Sequence, residues 1–80
     1  MNLLELFDNI AESLDLESGS ISLDSSSENV ENWDSLGHIT ILGMLDDATN
    51  GASADIVDLT QANSVAEIVQ ILTDNGMLDD

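Results

Sequence analysis

The sequence contains no lysine, arginine, cysteine or proline, and its aromatic residues are one tryptophan and one phenylalanine. Without cysteine, the chain has neither a disulfide nor a thiol of its own. No apolar run is long enough to span a bilayer, and the first residues lack the basic segment of a signal peptide, so we expect a cytoplasmic protein. A chain of 80 residues, 42% of them hydrophobic, predicts one small folded domain over residues 1–80.

The missing basic residues leave 17 acidic residues unbalanced, which gives a formal net charge of −17. Such a charge repels nucleic acid and anionic lipid, so we expect neither as a partner. It attracts proteins that carry basic docking patches. It would also keep a small protein soluble and monomeric without any partner, and the charge alone does not separate these two interpretations.

Apolar residues recur at helical spacing from the start of the chain. Asn2, with Glu5 three residues later, is typical of a helix N-terminus, and Gly19 is the expected breaker. The predicted buried stripe of this helix comprises Leu3, Phe7, Ile10 and Leu14. A long polar loop from Ser20 to Asn32 follows. We expect three apolar side chains to hold this loop against the core, namely Ile21, Leu23 and Val30.

Three further helical segments complete the chain. The second helix is predicted from Ser35 to about Ala48. Its predicted core-facing stripe comprises His38, Ile41, Leu42, Leu45 and Ala48. Ser53 would cap a short helical piece from Ala54 to Leu59, with Ile56, Val57 and Leu59 buried. Ser64 and Glu67 form a capping box for the last helix, whose stripe comprises Val65, Ile68, Val69 and Leu72. The pattern predicts an all-α bundle of three main helices plus one short helix.

The second helix begins at Trp33-Asp34-Ser35-Leu36-Gly37-His38. Asp34 is a good N-cap, because its carboxylate can accept a hydrogen bond from a free N–H of the first turn. Ser35 then occupies the first helical position, where the positive end of the helix dipole favours a bound or covalently attached anion, above all a phosphate.

Asp34-Ser35-Leu36 at a helix start, in an acidic chain of this length with a long first loop, closely resembles the acyl carrier protein family. The resemblance implies that Ser35 carries 4′-phosphopantetheine, with Asp34 and Leu36 beside the attachment point. It implies a phosphopantetheinyl transferase as a partner, together with an acyl- or aminoacyl-loading ligase and downstream synthases or transferases. The protein itself would be a thioester carrier and not an enzyme.

The second helix also has exposed positions that suit partner enzymes with basic docking patches. Helical spacing places Leu36 and Ile39 away from Ile41 and Leu45, so we expect them to be exposed docking residues. The acidic docking residues would be Asp46 and Asp47. Carriers of fatty acid synthesis typically have acids where this sequence has Gly37 and Thr40. This departure favours a carrier of a specialised pathway, which could handle polyketide intermediates, aminoacyl intermediates or cell-surface modification. It does not identify the cargo.

The same residues suggest other functions. Asp34, Ser35 and His38 are the residue types of a hydrolase triad, but three positions on one helix cannot supply its geometry. An EF-hand beginning at Asp46 would place Val57 where the bidentate glutamate belongs, so no metal site is predicted. His38 is interpreted as a packing residue against Trp33, and the alternative is a hydrogen-bond donor to a phosphate on Ser35. The competing function is an acidic interaction module without cofactor, such as an inhibitor that mimics nucleic-acid charge.

Overall fold

The chain folds into a helical bundle, and the computed structural model describes residues 1–79. The four α-helices are α1 (Leu3–Ser13), α2 (Ser35–Ala48), α3 (Asp58–Gln61) and α4 (Val65–Asp74). A 3₁₀ helix, Ala52–Asp55, lies between α2 and α3. Within residues 1–79 there is no β-strand, although Ser26 and Ser64 form an isolated antiparallel bridge. The predicted bundle of three main helices and one short one is confirmed.

The main helices begin at their predicted capping residues. The side-chain oxygen of Asn2 accepts a hydrogen bond from the N–H of Glu5 at 2.8 Å. The hydroxyl oxygen of Ser64 accepts one from the N–H of Glu67 at 3.2 Å. Each bond satisfies an N–H group that has no partner further back in its helix. These interactions span three residues, which is why they could be predicted locally.

The core is formed by one face of each main helix. Its fully buried side chains include Leu6, Ile10, Ile41, Leu45, Ile68 and Leu72. The predicted stripe of α1 is partly wrong, because Leu6 and Ala11 are buried whereas Leu3 and Phe7 are only half-buried. The face of α1 that meets the other helices is centred on Leu6 and Ile10, so Leu3 and Phe7 lie at its border.

The first helix also ends earlier than predicted. Its last residue is Ser13, with Leu14 as the C-cap, and Gly19 lies in a later turn. Asp15 has a φ of 60°, and the N–H of Leu16 donates to the carbonyl of Ala11 at 2.8 Å. Asp15 therefore supplies the left-handed residue that ends α1, a conformation that aspartate tolerates better than most residues.

The single short helix predicted from Ala54 to Leu59 is wrong in its boundaries. It is divided into the 3₁₀ helix and α3, because Ile56 between them has an extended conformation. Ser53 does not cap a helix. It lies inside the 3₁₀ helix, is buried, and its N–H donates to the hydroxyl of Thr49 at 3.0 Å. This hydrogen bond connects the 3₁₀ helix to the end of α2.

Two apolar residues predicted to be buried are exposed. Val57 is 70% exposed, because the break at Ile56 changes the helical register that would have turned it inward. Leu23 is 50% exposed, although its neighbour Ile21 is buried as predicted. The hydroxyl of Ser25 accepts from the N–H of Ser22 at 2.9 Å, and this tight turn directs Leu23 towards solvent.

The long first loop is hydrogen-bonded to the rest of the chain at its middle and at its end. The N–H of Val65 donates to the carbonyl of Ser25 at 2.9 Å, and the N–H of Ser27 donates to the carbonyl of Asn63 at 2.9 Å. Further along, the side-chain amide of Asn32 donates to the carbonyl of Leu14 at 2.9 Å. These bonds hold the loop between α1 and α4 and bring its end to the first turn of α2.

The end of the described chain folds back on the last turn of α4. Gly76 has a φ of 71°, and the N–H of Met77 donates to the carbonyl of Leu72 at 2.9 Å. This turn places Leu78 in the core. None of the helices in residues 1–79 is both long and apolar enough to cross a membrane.

Candidate functional site

The start of α2 has the geometry that the sequence predicts. The Asp34 Oδ1 atom accepts a hydrogen bond from the N–H of Gly37 at 2.9 Å, and the carbonyl of Asp34 accepts from the N–H of His38 at 2.8 Å. Asp34 itself is extended, so the helix begins at Ser35. The side chain of Ser35 is exposed. The cap and the exposed serine are therefore confirmed.

Gly37 has a packing role that sequence reasoning missed. A side chain at this position would overlap the carbonyl oxygen of Asn32 and would come within 2.9 Å of the Leu14 Cδ2 atom. Asn32 reaches this position through a positive φ of 69°, a conformation for which asparagine is suited. The space beside the first turn of α2 therefore holds loop backbone. An acidic residue in place of Gly37, as in fatty-acid carriers, would not fit.

His38 links three segments of the chain. The indole N–H of Trp33 donates to Nδ1 of His38 at 3.1 Å, and Nε2 of His38 lies 2.9 Å from the carbonyl oxygen of Leu59. A tryptophan N–H can only donate, so Nδ1 accepts and the ring proton lies on Nε2, from which it is donated to Leu59. Both ring nitrogens are engaged, and neither is left for a phosphate on Ser35. The geometry favours the packing interpretation of His38.

Trp33, which donates to His38, is itself buried in the bundle. Its side chain is 5% exposed, and its ring plane is nearly parallel to that of His38, at an angle of 13°. The residue just before the cap therefore packs into the bundle, as predicted. Together, Trp33 and His38 attach the first turn of α2 to the loop before it and to α3 after it.

The exposed and buried faces of α2 are largely as predicted. Leu36 is 75% exposed and Ile39 is 63% exposed, whereas Ile41 and Leu45 are fully buried. The predicted exposure of Leu36 and Ile39 is therefore confirmed. Ala48, predicted to lie on the buried side, is exposed at the last position of the helix.

An open groove of about 560 Å³ lies beside Ser35 on the side of α3. We call it the α2–α3 groove. Its walls include Ser35, His38, Ile39, Leu42, Thr60 and Ala62. Residues 60–63 were not predicted as part of the site, because they are far from Ser35 in sequence and carry no motif. Tertiary packing of α3 against α2 brings them there.

The acidic candidates lie at the other end of α2. Asp46 and Asp47 are exposed in its last turn, about 17 Å along the helix from Ser35. The structure therefore groups Asp34, Ser35 and Leu36 at one end and the two acids at the other. Within residues 1–79 no three potential metal ligands converge on a common site.

The groups beside Ser35 in the sequence are engaged in hydrogen bonds to other parts of the chain. The Oδ1 atom of Asp34 accepts from the N–H of Gly37, and both ring nitrogens of His38 are bonded to Trp33 and Leu59, so His38 has no free nitrogen to act as a base for the hydroxyl. The chain matches no known family model, no curated protein and no solved structure. Its function has to be argued from the geometry of this site.

Proposed function

We propose that the protein is a carrier in which the Ser35 hydroxyl holds 4′-phosphopantetheine through a phosphodiester. The arm supplies a terminal thiol, which the chain itself lacks, for an acyl, aminoacyl or other biosynthetic intermediate bound as a thioester. The observation that carries the proposal is that Ser35 is exposed as the first residue of a helix capped by Asp34. In this role the protein delivers its cargo to partner enzymes and catalyses nothing itself.

The groups around Ser35 suit a phosphodiester. The N–H groups of Ser35 and Leu36 belong to the first turn of α2 and have no partner further back in the helix. The positive end of the helix dipole stabilises a negative charge at this position. The nearest anion is Asp34, and its Oδ1 atom is already engaged by the N–H of Gly37. These features support attachment of a phosphate at Ser35.

The α2–α3 groove offers a place for the arm beside its attachment point. Ile39, Leu42 and Ala62 supply apolar wall, and Thr60 and Asn63 supply polar groups. An arm that contains both amide and methylene groups needs both kinds of contact. The hydrogen bond from His38 to the carbonyl of Leu59 connects α2 to α3, which form the two walls of this groove.

The proposed partners are a phosphopantetheinyl transferase, a loading ligase, and synthases or transferases with basic docking patches. Leu36 and Ile39 would be their apolar contacts, because large apolar side chains exposed beside a functional residue are candidates for an interface. Asp46 and Asp47 would attract basic side chains at the far end of the helix. The chain has no lysine or arginine to compete for them.

The decisive experiment is intact-mass measurement after co-expression with a broad-specificity phosphopantetheinyl transferase. We expect the mass to increase by one phosphopantetheinyl group, and Ser35→Ala to abolish the increase while leaving the circular dichroism spectrum unchanged. Ser20→Ala is the matched control, because it removes the hydroxyl of another exposed serine. A folded wild-type protein whose mass does not change would refute the proposal and favour the acidic interaction module.

A second experiment tests the docking residues. We expect Leu36→Ala and Ile39→Ala to slow loading by the transferase while the free energy of unfolding stays close to that of the wild type, since both side chains are exposed. Ile41→Ala is the control from the buried face of α2 and should cost about 2–5 kcal/mol of stability. Wild-type loading rates for both exposed-site variants would remove them from the interface.

A further inference from the structure

The α2–α3 groove beside Ser35 has a closed floor. Of the residues that line it, Trp33 and Ala62 are the most buried, at 5% and 3% exposed. The indole N–H of Trp33 donates to His38, which in turn donates to the carbonyl of the buried Leu59. These two hydrogen bonds join the floor of the groove to α3 and lie between the groove and the core.

A long apolar chain in the groove could reach the core only by separating these groups. The indole N–H of Trp33 and the carbonyl of Leu59 would then lose their partners in a buried place, which is unfavourable. The core side chains of Ile41, Leu45 and Ile68 are fully buried, so they would have to be displaced as well. A chain that stays in the open groove keeps contact with water and gains little from burial. The structure therefore favours a short, polar cargo.

The groove also carries neutral polar side chains that the fold leaves unbonded. Ser27, Gln61 and Asn63 are exposed there, and within residues 1–79 their side chains make no hydrogen bond to the chain. The N–H of Ser27 donates to the carbonyl of Asn63 at 2.9 Å, so the first loop and the end of α3 meet at this place. A carboxamide both donates and accepts, and it can therefore bond to the carbonyl and the amine of a small acyl group.

The groove has no cation for a negatively charged cargo. The chain contains no lysine or arginine, and both ring nitrogens of His38 are engaged. The N-terminal ammonium pairs with Asp79 at 3.1 Å and does not line the groove. The positive end of the α2 dipole would be taken up by the phosphodiester on Ser35. A carboxylate on the cargo would therefore be unpaired in the field of a chain of charge −17, whereas an ammonium would be attracted.

We propose, on the basis of the carrier function above, that the cargo is a small aminoacyl group that lies in the α2–α3 groove on the surface of the bundle. Its ammonium is attracted by the acidic chain, and its polar atoms bond to the side chains of Gln61 and Asn63. The hydrogen bonds from Trp33 to His38 and from His38 to Leu59 keep the cargo out of the core.

Four cargoes on the same arm test the proposal. The transferase loads Ser35 from coenzyme A derivatives in which a stable amide replaces the thioester. The groups are alanyl, malonyl, octanoyl and lactoyl, and lactoyl matches alanyl in size but has a hydroxyl in place of the ammonium. We expect the side-chain amide signals of Gln61 and Asn63 to shift most with alanyl, less with lactoyl and least with malonyl. We expect the methyl signals of Ile41 and Ile68 to stay unchanged with all four.

Variants separate binding in the groove from the mere presence of the arm. In the double variant Gln61→Ala and Asn63→Ala, we expect the shifts that alanyl causes in the backbone amides of Thr60 and Ala62 to fall about twofold or more, because the hydrogen-bonding side chains are lost. Gln70→Ala is the matched control, since this exposed glutamine lies on α4 and does not line the groove. We expect its alanyl shifts to equal those of the wild type.

Three results would overturn the proposal. Octanoyl-induced shifts of the Ile41 and Ile68 methyl groups, with a thermal midpoint raised by about 4 °C or more, would show that the chain enters the core. Malonyl shifts as large as those of alanyl would show that charge does not select the cargo. A double variant that behaves like Gln70→Ala would remove the two carboxamides from the site. Failure of every derivative to load Ser35, seen by intact mass before any spectrum, would instead refute the carrier function itself, and the aminoacyl cargo with it.

Discussion

The two ends of α2 differ in how the rest of the chain contacts them. At the N-terminal end, Asp34 caps the helix, loop backbone packs against Gly37, and His38 bonds to two other segments. At the C-terminal end, no atom approaches the place of a side chain at Gly43, and Asp47 has no basic neighbour. The first turn of α2 is held by several segments of the chain, whereas the exposed face of its C-terminal half, which includes Gly43 and Asp47, is left uncovered.

The difference matches two requirements that α2 would have to meet in the proposed carrier. An attachment residue is useful only if its position relative to the surrounding groove is constant, which needs contacts from several segments. A docking surface needs the opposite, namely side chains whose interactions are still unmade. Substitutions along α2 can test this contrast, because the same change should have different effects at the two ends.

The largest effect is expected at Gly37. Alanine there would overlap the carbonyl of Asn32 and crowd Leu14, so either the loop or the helix has to move. We expect Gly37→Ala to lower the free energy of unfolding by about 3 kcal/mol or more, measured by urea denaturation. A variant as stable as the wild type would show that the loop is free to move and that this end of α2 is not firmly held.

The next effect concerns the link through His38. His38→Leu replaces the imidazole ring with an apolar side chain. The indole N–H of Trp33 and the carbonyl of Leu59 then lose their hydrogen bonds to His38. We expect a loss of about 1–3 kcal/mol in urea denaturation, since unsatisfied buried polar groups are destabilising. A double-mutant cycle with Trp33→Phe should show coupling, and strictly additive losses would contradict the hydrogen-bonded link.

The cap at Asp34 should contribute less. Asp34→Ala removes the acceptor for the N–H of Gly37, and we expect the free energy of unfolding to fall by about 1 kcal/mol. Asp46→Ala is the matched control at the other end, where the same truncation removes no cap. Equal losses in the two variants would show that the first turn of α2 does not depend on its cap.

Gly43→Ala should act in the opposite direction. Nothing lies within 4 Å of the added Cβ, so the variant gains helix propensity without a clash. We expect stability to rise by about 0.5–1 kcal/mol, seen as a higher thermal midpoint. The same glycine-to-alanine change in α2 is therefore expected to stabilise the protein at Gly43 and to destabilise it at Gly37. A destabilised Gly43→Ala would mean that a neighbour does approach this position.

The smallest effect is expected from Asp46→Asn in the last turn of α2. Removing a negative charge from the negative end of a helix dipole should raise stability by a few tenths of a kcal/mol at low salt. The gain should disappear at about 1 M salt, because surface charges are then screened. A gain that persists in high salt would have to come from something other than electrostatics.

Much of the fold was predictable because the deciding interactions are local. The caps at Asn2, Asp34 and Ser64 each join residues three positions apart, and the boundaries of α2 follow from such signals. The exposure of Ser35, Leu36 and Ile39 follows in turn from the helical period. The end of α1 and the break at Ile56 were predicted wrongly, since Asp15 and Ile56 carry no strong breaker signal.

The sequence by itself therefore determined the three main helices, their starting residues and the exposed serine at the head of α2. Only the tertiary structure decided why Gly37 is a glycine, which carbonyl His38 contacts, and which later residues line the groove beside Ser35. The physical reason is sequence distance: Leu59 lies 21 residues beyond His38, and Leu14 lies 18 residues before Asn32. Contacts of that kind depend on how whole segments pack, and no pattern within a few residues specifies them.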